Sequence, residues 1–223
     1  CRLADLGVRA VLVAGSTGEA SALEAGERAG LVRAVRKAVP SEIPVLAGTG
    51  ASSGRHAAFL TSMVVDAGAD AILALAPPQS ADPRPYYERV AEAVDGTPLL
   101  AYHYPAVSEP GIAVEWLPDL PVVGLKDSSG NLTRLYEELD TFDGWIYTGS
   151  ADLVLVAGAL NCTGAILAVA NLLPEDAVAA LGGDAEAQRR LAAVTRQISS
   201  PWPGAMKTAI AERFGTSTTS RMG

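Results

Sequence analysis

Two short runs decide the fold: Pro98-Leu99-Leu100-Ala101-Tyr102 and Val122-Val123-Gly124-Leu125-Lys126. Each is almost continuously apolar and stops on a side chain able to do chemistry. A half-exposed strand would alternate polar and apolar residues, so unbroken apolar runs of this length predict strands covered on both faces. Five more runs of the same kind lie at 8–14, 44–47, 71–76, 145–148 and 164–168. Between the runs sit longer amphipathic stretches at 23–39, 55–67, 86–94, 132–139 and 152–159, which predict helices. The joints carry punctuation such as Ser53-Gly54 and Gly96-Thr97-Pro98.

Strand alternating with helix predicts an α/β protein with a parallel sheet covered by helices. Seven candidate strands exceed the usual count for an open doubly wound sheet and fall one short of a TIM (β/α)8 barrel. The chain begins at Cys1, in what reads as the end of a helix, so we expect strands two to eight here and a first strand upstream. On this reading residues 1–170 are the barrel. Residues 171–223 continue the same domain as helices at 174–181, 185–197 and 205–214, followed by a polar, loose tail at 216–220. No internal repeat or linker marks a second domain.

Composition narrows the class. The 223 residues are 49% hydrophobic and 19% charged, which excludes wholesale disorder. A net charge of −8 argues against nucleic acid or an anionic membrane as partner. No apolar run reaches the ~18 residues of a membrane span, and no secretory leader is visible. Cys1 and Cys162 cannot build a disulfide framework, and no Cys/His spacing suits a metal. These features predict a cytoplasmic protein without a bound metal or cofactor. Of the 17 basic residues only Lys37, Lys126 and Lys207 are lysines.

Active sites of parallel barrels lie at the C-terminal ends of the strands. Four places there stand out. Gly15-Ser16-Thr17-Gly18-Glu19 follows the first run, and its backbone amides and hydroxyls suit a carboxylate or phosphate. It also reads as a plain strand-to-helix turn. Lys126 ends a buried strand, where desolvation favours a neutral, nucleophilic amine. Its plain alternative is a structural ion pair. Lys37 and Lys207 fall in helical patterns and read as surface or packing residues. Tyr102 ends the preceding strand, where a phenol can relay protons or simply pack. His103 has the opposite parity and reads as packed; His56 reads as surface. Last come Thr148-Gly149-Ser150 and Ala168 to Asn171, whose neutral groups fit a carboxylate or a sugar-like chain.

Together these motifs resemble the dihydrodipicolinate synthase / N-acetylneuraminate lyase family of Schiff-base class I aldolases. Gly15–Glu19 is similar to the family's Gly-Thr/Ser-Thr-Gly-Glu loop. Tyr102 with Pro105 resembles its Tyr-Asn-x-Pro segment, and Gly124–Ser128 its Gly-x-Lys-Asp/x-Ser/Thr segment. The resemblance runs from about Val8 to Glu175 and is weaker beyond, at Gly204 to Lys207. It implies a TIM barrel and an imine between Lys126 and a pyruvate-derived 2-oxo acid, with no cofactor beyond that covalent imine. It further implies Tyr102 and Ser16 as a proton relay, and Gly15 and Thr17 at the substrate carboxylate. Gly149, Ser150 and Ala168 would line the rest of the substrate, and the assembly would be a homotetramer.

The departures point within the family. Dihydrodipicolinate synthases usually carry an Arg where this chain has Ala106-Val107-Ser108, and a Tyr pair where it has Pro77-Pro78-Gln79-Ser80. Gly149-Ser150-Ala151 and 168–173 look closest to 4-hydroxy-2-oxoglutarate and 2-keto-3-deoxy-sugar-acid aldolases. The resemblance therefore implies an aldolase or lyase on such an acid. The alternatives are a pyruvate-using condensing or dehydrating enzyme and a non-catalytic 2-oxo-acid-binding barrel. A phosphate-binding isomerase barrel would need cations that these loops lack.

Overall fold

The structure is a computed structural model that describes residues 2–222. After a short helix α1 (Arg2–Asp5), strand and helix alternate. They run β1 (Val11–Val13), α2 (Ala25–Ala38), β2 (Val45–Gly48), α3 (Gly54–Val65), β3 (Ala71–Leu75) and α4 (Arg84–Ala91). There follow β4 (Leu99–His103), β5 (Gly124–Asp127), α5 (Leu132–Thr141), β6 (Trp145–Thr148), α6 (Val154–Ala159) and β7 (Gly164–Ala165). Three helices end the described chain: α7 (Pro174–Leu181), α8 (Ala185–Gln197) and α9 (Gly204–Phe214). Only a 3-10 turn, Val114–Asp119, links β4 to β5.

All seven strands are parallel and pair in sequence order, β1 through β7. This is the TIM-type arrangement the runs predicted. Among the described residues no pairing joins β7 back to β1, so the curled sheet stops one strand short of closure. Two predicted strands are shorter than expected. The run at 8–14 pairs only over Val11–Val13, and that at 164–168 only over Gly164–Ala165. Both border the open seam, where a neighbour on one side is lacking to prolong the ladder.

Strand parity divides the core into layers. Leu99 and Ala101, with Ile72, Ala74, Val45 and Ala47, pack outward against α2 to α4 around Val32, Leu60, Val64 and the fully buried Tyr87. Leu46, Leu73, Leu100 and Tyr102 face inward with Leu12, Tyr147 and Ile166. A third cluster joins Ala151 and Val154 to Leu172, Leu191 and Met206 of the C-terminal helices. Each fully buried Leu or Ile contributes about 1.5–3 kcal/mol relative to exposure.

The tail is not loose. The Ser220 hydroxyl and the Arg221 and Met222 amides donate to Glu19 Oε1 at 2.6, 3.0 and 3.0 Å, and Arg221 grips Glu27 with both guanidinium nitrogens. Lys207 also pairs with Glu19, so its surface or packing assignment is corrected to a long-range ion pair. A 3% exposed carboxylate needs such donors, and they arrive from about 200 residues away. They hold the Glu19 carboxyl down at about 2. Cys162 is a half-buried free thiol, and Cys1 lies outside the described residues.

Candidate active site

The inward face of β4 and β5 brings Tyr102 and Lys126 side by side, because the two residues are register partners. Lys126 is only 8% exposed, and its Nζ lies 4.1 Å from the centroid of the Tyr102 ring. Burial alone pulls its amine from the ordinary lysine value down to about 7, leaving a large neutral fraction near neutrality. Tyr102 is 5% exposed, and burial pushes its phenol up to about 12, so it keeps its proton. Tyr104 stacks on it, with centroids 5.8 Å apart.

Ser128, two residues beyond Lys126 and on the same side of the strand line, donates its hydroxyl to Tyr102 Oη at 3.2 Å. Ser16, in the same cavity wall, tempers the rise in the phenol's pKa. The motif Gly124–Ser128 contains this serine but does not by itself place it in the site. Its parity with Lys126 was the available signal.

Gly149 explains how these groups fit together. A Cβ there would stand 1.9 Å from Ser128 Oγ and 2.8 Å from Lys126 Cε. A side chain at 149 would push aside the Ser128 hydroxyl and the lysine stem. On the far side, Ser16–Gly18 forms a 3-10 turn after β1. The amides of Glu19 and Ala20 bond back to the carbonyls of Ser16 and Gly15, closing the loop on itself.

Gly15, Ser16, Thr17, Tyr102, Lys126, Ser128, Gly149 and Ala168 line one cavity of about 1160 Å³. It continues past Leu12, Leu46 and Leu100 to Arg9 and Pro44 at the opposite strand ends. A closed barrel fills this interior with side chains.

Ser150 is placed differently from the expectation. Its hydroxyl accepts from Asp152 N at 3.3 Å and caps the following turn, and it is not part of the cavity wall. Tyr86 and Tyr87 serve the fold as well. Tyr87 donates to Ala74 O at 2.9 Å, and Tyr86 accepts from Ala51 N at 3.3 Å. His103 packs outward and accepts from Ile112 N at 2.9 Å through Nδ1, which requires a neutral ring; burial holds it down at about 4. Ser108, in the stretch that departs from the family pattern, is buried and donates to Ala76 O.

The profile of the dihydrodipicolinate synthetase family matches residues 3–207. The chain belongs to that family. A 4-hydroxy-tetrahydrodipicolinate synthase of Methanopyrus kandleri is 34% identical over 206 residues, covering 85% of this chain and 68% of its own. One from Pseudomonas aeruginosa is 32% identical over 199 residues, with 83% and 68% covered. Among solved structures, YagE is a prophage protein of the dihydrodipicolinic acid synthase family from E. coli K12, solved in complex with pyruvate. It superposes with a TM-score of 0.88 at 26% identity, covering 98% of this chain and 82% of its own. Dihydrodipicolinate synthase from Aquifex aeolicus gives 0.86 at 27% identity, covering 99% and 82%. Membership of the dihydrodipicolinate synthetase family makes the chain an enzyme of the carbon–carbon lyase class. No helix among the described residues is long and apolar enough to cross a membrane.

Proposed function

We propose that this chain forms a Schiff base between Lys126 and pyruvate or a pyruvate-derived 2-oxo acid, and cleaves or makes the adjacent carbon–carbon bond. The observation that carries this reading is the buried Lys126 amine, at about 7, set against a protonated phenol. The neutral amine adds to the keto carbon. The carbinolamine oxygen leaves as water after taking the Tyr102 proton, and an iminium remains. In the cleavage direction the iminium draws in the electrons of the neighbouring carbon–carbon bond while the substrate hydroxyl gives its proton to the Tyr102 oxygen. An aldehyde departs and an enamine stays on the lysine. Protonation of the enamine and hydrolysis by water release pyruvate. Ser16 and Ser128 keep the phenol oriented, and Thr17 with the 15–18 turn takes the carboxylate.

The substrate we favour is a 4-hydroxy-2-oxoglutarate or 2-keto-3-deoxy-sugar-acid type, because the wall near Gly149 and Ala168 offers small neutral groups. Borohydride reduction with pyruvate tests the chemistry, and a covalent mass increase should map to Lys126. Trapping should rise with pH through about 7, where an ordinary lysine would rise near 10.5. No adduct on Lys126 overturns the reading. The names of the curated relatives favour a second reading, a condensing synthase that joins pyruvate to an aldehyde. Condensation without retro-aldol cleavage of these two acid types would select it, and pyruvate binding with no turnover would select a non-catalytic binder.

A further inference from the structure

The outward ends of β4 and β5 carry polar groups that the proposed chemistry does not touch. His103 and Asp127 are register partners, 5% and 4% exposed. α5 lays Arg134 and the fully buried Glu138 against them, one turn apart. Arg134 Nε is 2.7 Å from Glu138 Oε1 and 3.9 Å from Asp127 Oδ2. The contact with Glu138 is ionic in distance but not aligned as a hydrogen bond. Apolar residues could fill this helix–sheet layer, and buried polar groups of this kind are a poor source of stability.

What the cluster does hold is a turn. The Asp127 carboxylate accepts from Ser129 N and from Ser129 Oγ, each at 2.7 Å. Ser129 Oγ accepts in turn from Asn131 N at 3.1 Å, and the Asn131 side chain caps α5 by accepting from Arg134 N at 3.2 Å. Ser128 lies inside this closed circuit. Its amide donates to His103 O at 2.9 Å, and its hydroxyl donates to Tyr102 Oη at 3.2 Å. A shift of the turn therefore moves the hydroxyl off the phenol.

We propose that Asp127 and Arg134 are positioning residues: braced by Glu138, they hold the 127–131 turn so that Ser128 stays on Tyr102 while protons move at the lysine-bound substrate. This rests on the imine reading above. The Asp127 charge is also felt at Tyr102 and helps the phenol keep its proton. The arrangement predicts a split between two steps. Imine formation takes one Tyr102 proton that water in the cavity can also supply, whereas enamine formation needs the oriented phenol as base.

The test compares borohydride trapping of the pyruvate imine with exchange of the pyruvate methyl protons in D2O, which occurs only through the enamine. Arg134→Gln should slow exchange by about 10-fold or more while trapping stays within about twofold. Arg134→Lys should recover part of the loss. Ser129→Ala, at a half-buried loop position, removes one donor to Asp127 and the acceptor of Asn131 N, and should slow exchange about threefold. It decides the matter if Arg134→Gln fails to fold. Unchanged exchange in the folded variants, or trapping and exchange falling in parallel, overturns the inference. If the unsubstituted chain traps no imine, the proposed function falls and takes this inference with it. If that chain traps and exchanges while the variants match it, the inference alone falls.

Discussion

Neighbouring residues on the same two strands meet opposite environments. Tyr102 and Lys126 face the cavity; His103 and Asp127, one residue on, face the helices. All four are buried, yet the outer pair is met by a backbone amide, two Ser129 donors and Arg134. The inner lysine has an aromatic face and empty volume. Burial with compensation yields fixed structure. Burial of an amine without an opposite charge beside it yields a depressed pKa and a nucleophile. The contrast is produced by a two-residue strand period and by what each face packs against.

Four measurements break or sharpen this contrast. Lys126→Ala, on the inner face, should abolish imine trapping and turnover with pyruvate-derived substrates, measured by mass spectrometry and pyruvate release. Tyr102→Phe should retain part of the trapping but lower turnover by about 100-fold or more. Near-native turnover in either variant would dissolve the distinction between the faces. Gly149→Ala should lower turnover by about 10-fold, because its methyl group displaces Ser128 and the lysine stem without removing either. Steady-state kinetics should show the loss mainly in kcat.

The smallest effect belongs to the outer face. Burial pushes the Glu138 carboxyl up to about 8 from its ordinary 4.5, so the folded chain holds a proton there that the unfolded chain releases earlier. That contribution to stability is complete below about 4.5 and is lost as pH rises toward 8. Glu138→Gln should flatten this part of a denaturation-midpoint profile. A profile identical to that of the unsubstituted chain would place the carboxyl in an unperturbed environment.

Legibility differed along the chain for physical reasons. β3, β4, β5 and β6 could be read because each is a continuous apolar run, and parity already separated Tyr102 and Tyr104 from His103. The runs at 8–14 and 164–168 locate β1 and β7 but overstate their lengths, which depend on ladder partners at the seam. Lys207 and the tail at 216–220 were misread for a different reason. Their partner, Glu19, is distant in sequence, and a helical lysine or a polar tail looks the same paired or unpaired. Tyr86 and Tyr87 are set by α4 packing against β3, which no local pattern reveals.

By itself, then, the sequence determined the alternation of strand and helix, the ends at which chemistry can sit, and a lysine distinguished from two others by its strand. Those properties are periodic or compositional, so they are local. The tertiary structure alone decided that Ser128 touches Tyr102, that Gly149 lies against Ser128 and the Lys126 stem, that Ser150 caps a turn, and that Arg134 and Glu138 stand behind the site. Each of these depends on the distance between atoms of different elements. Such distances are set by strand register and by helix packing, which only the folded chain possesses.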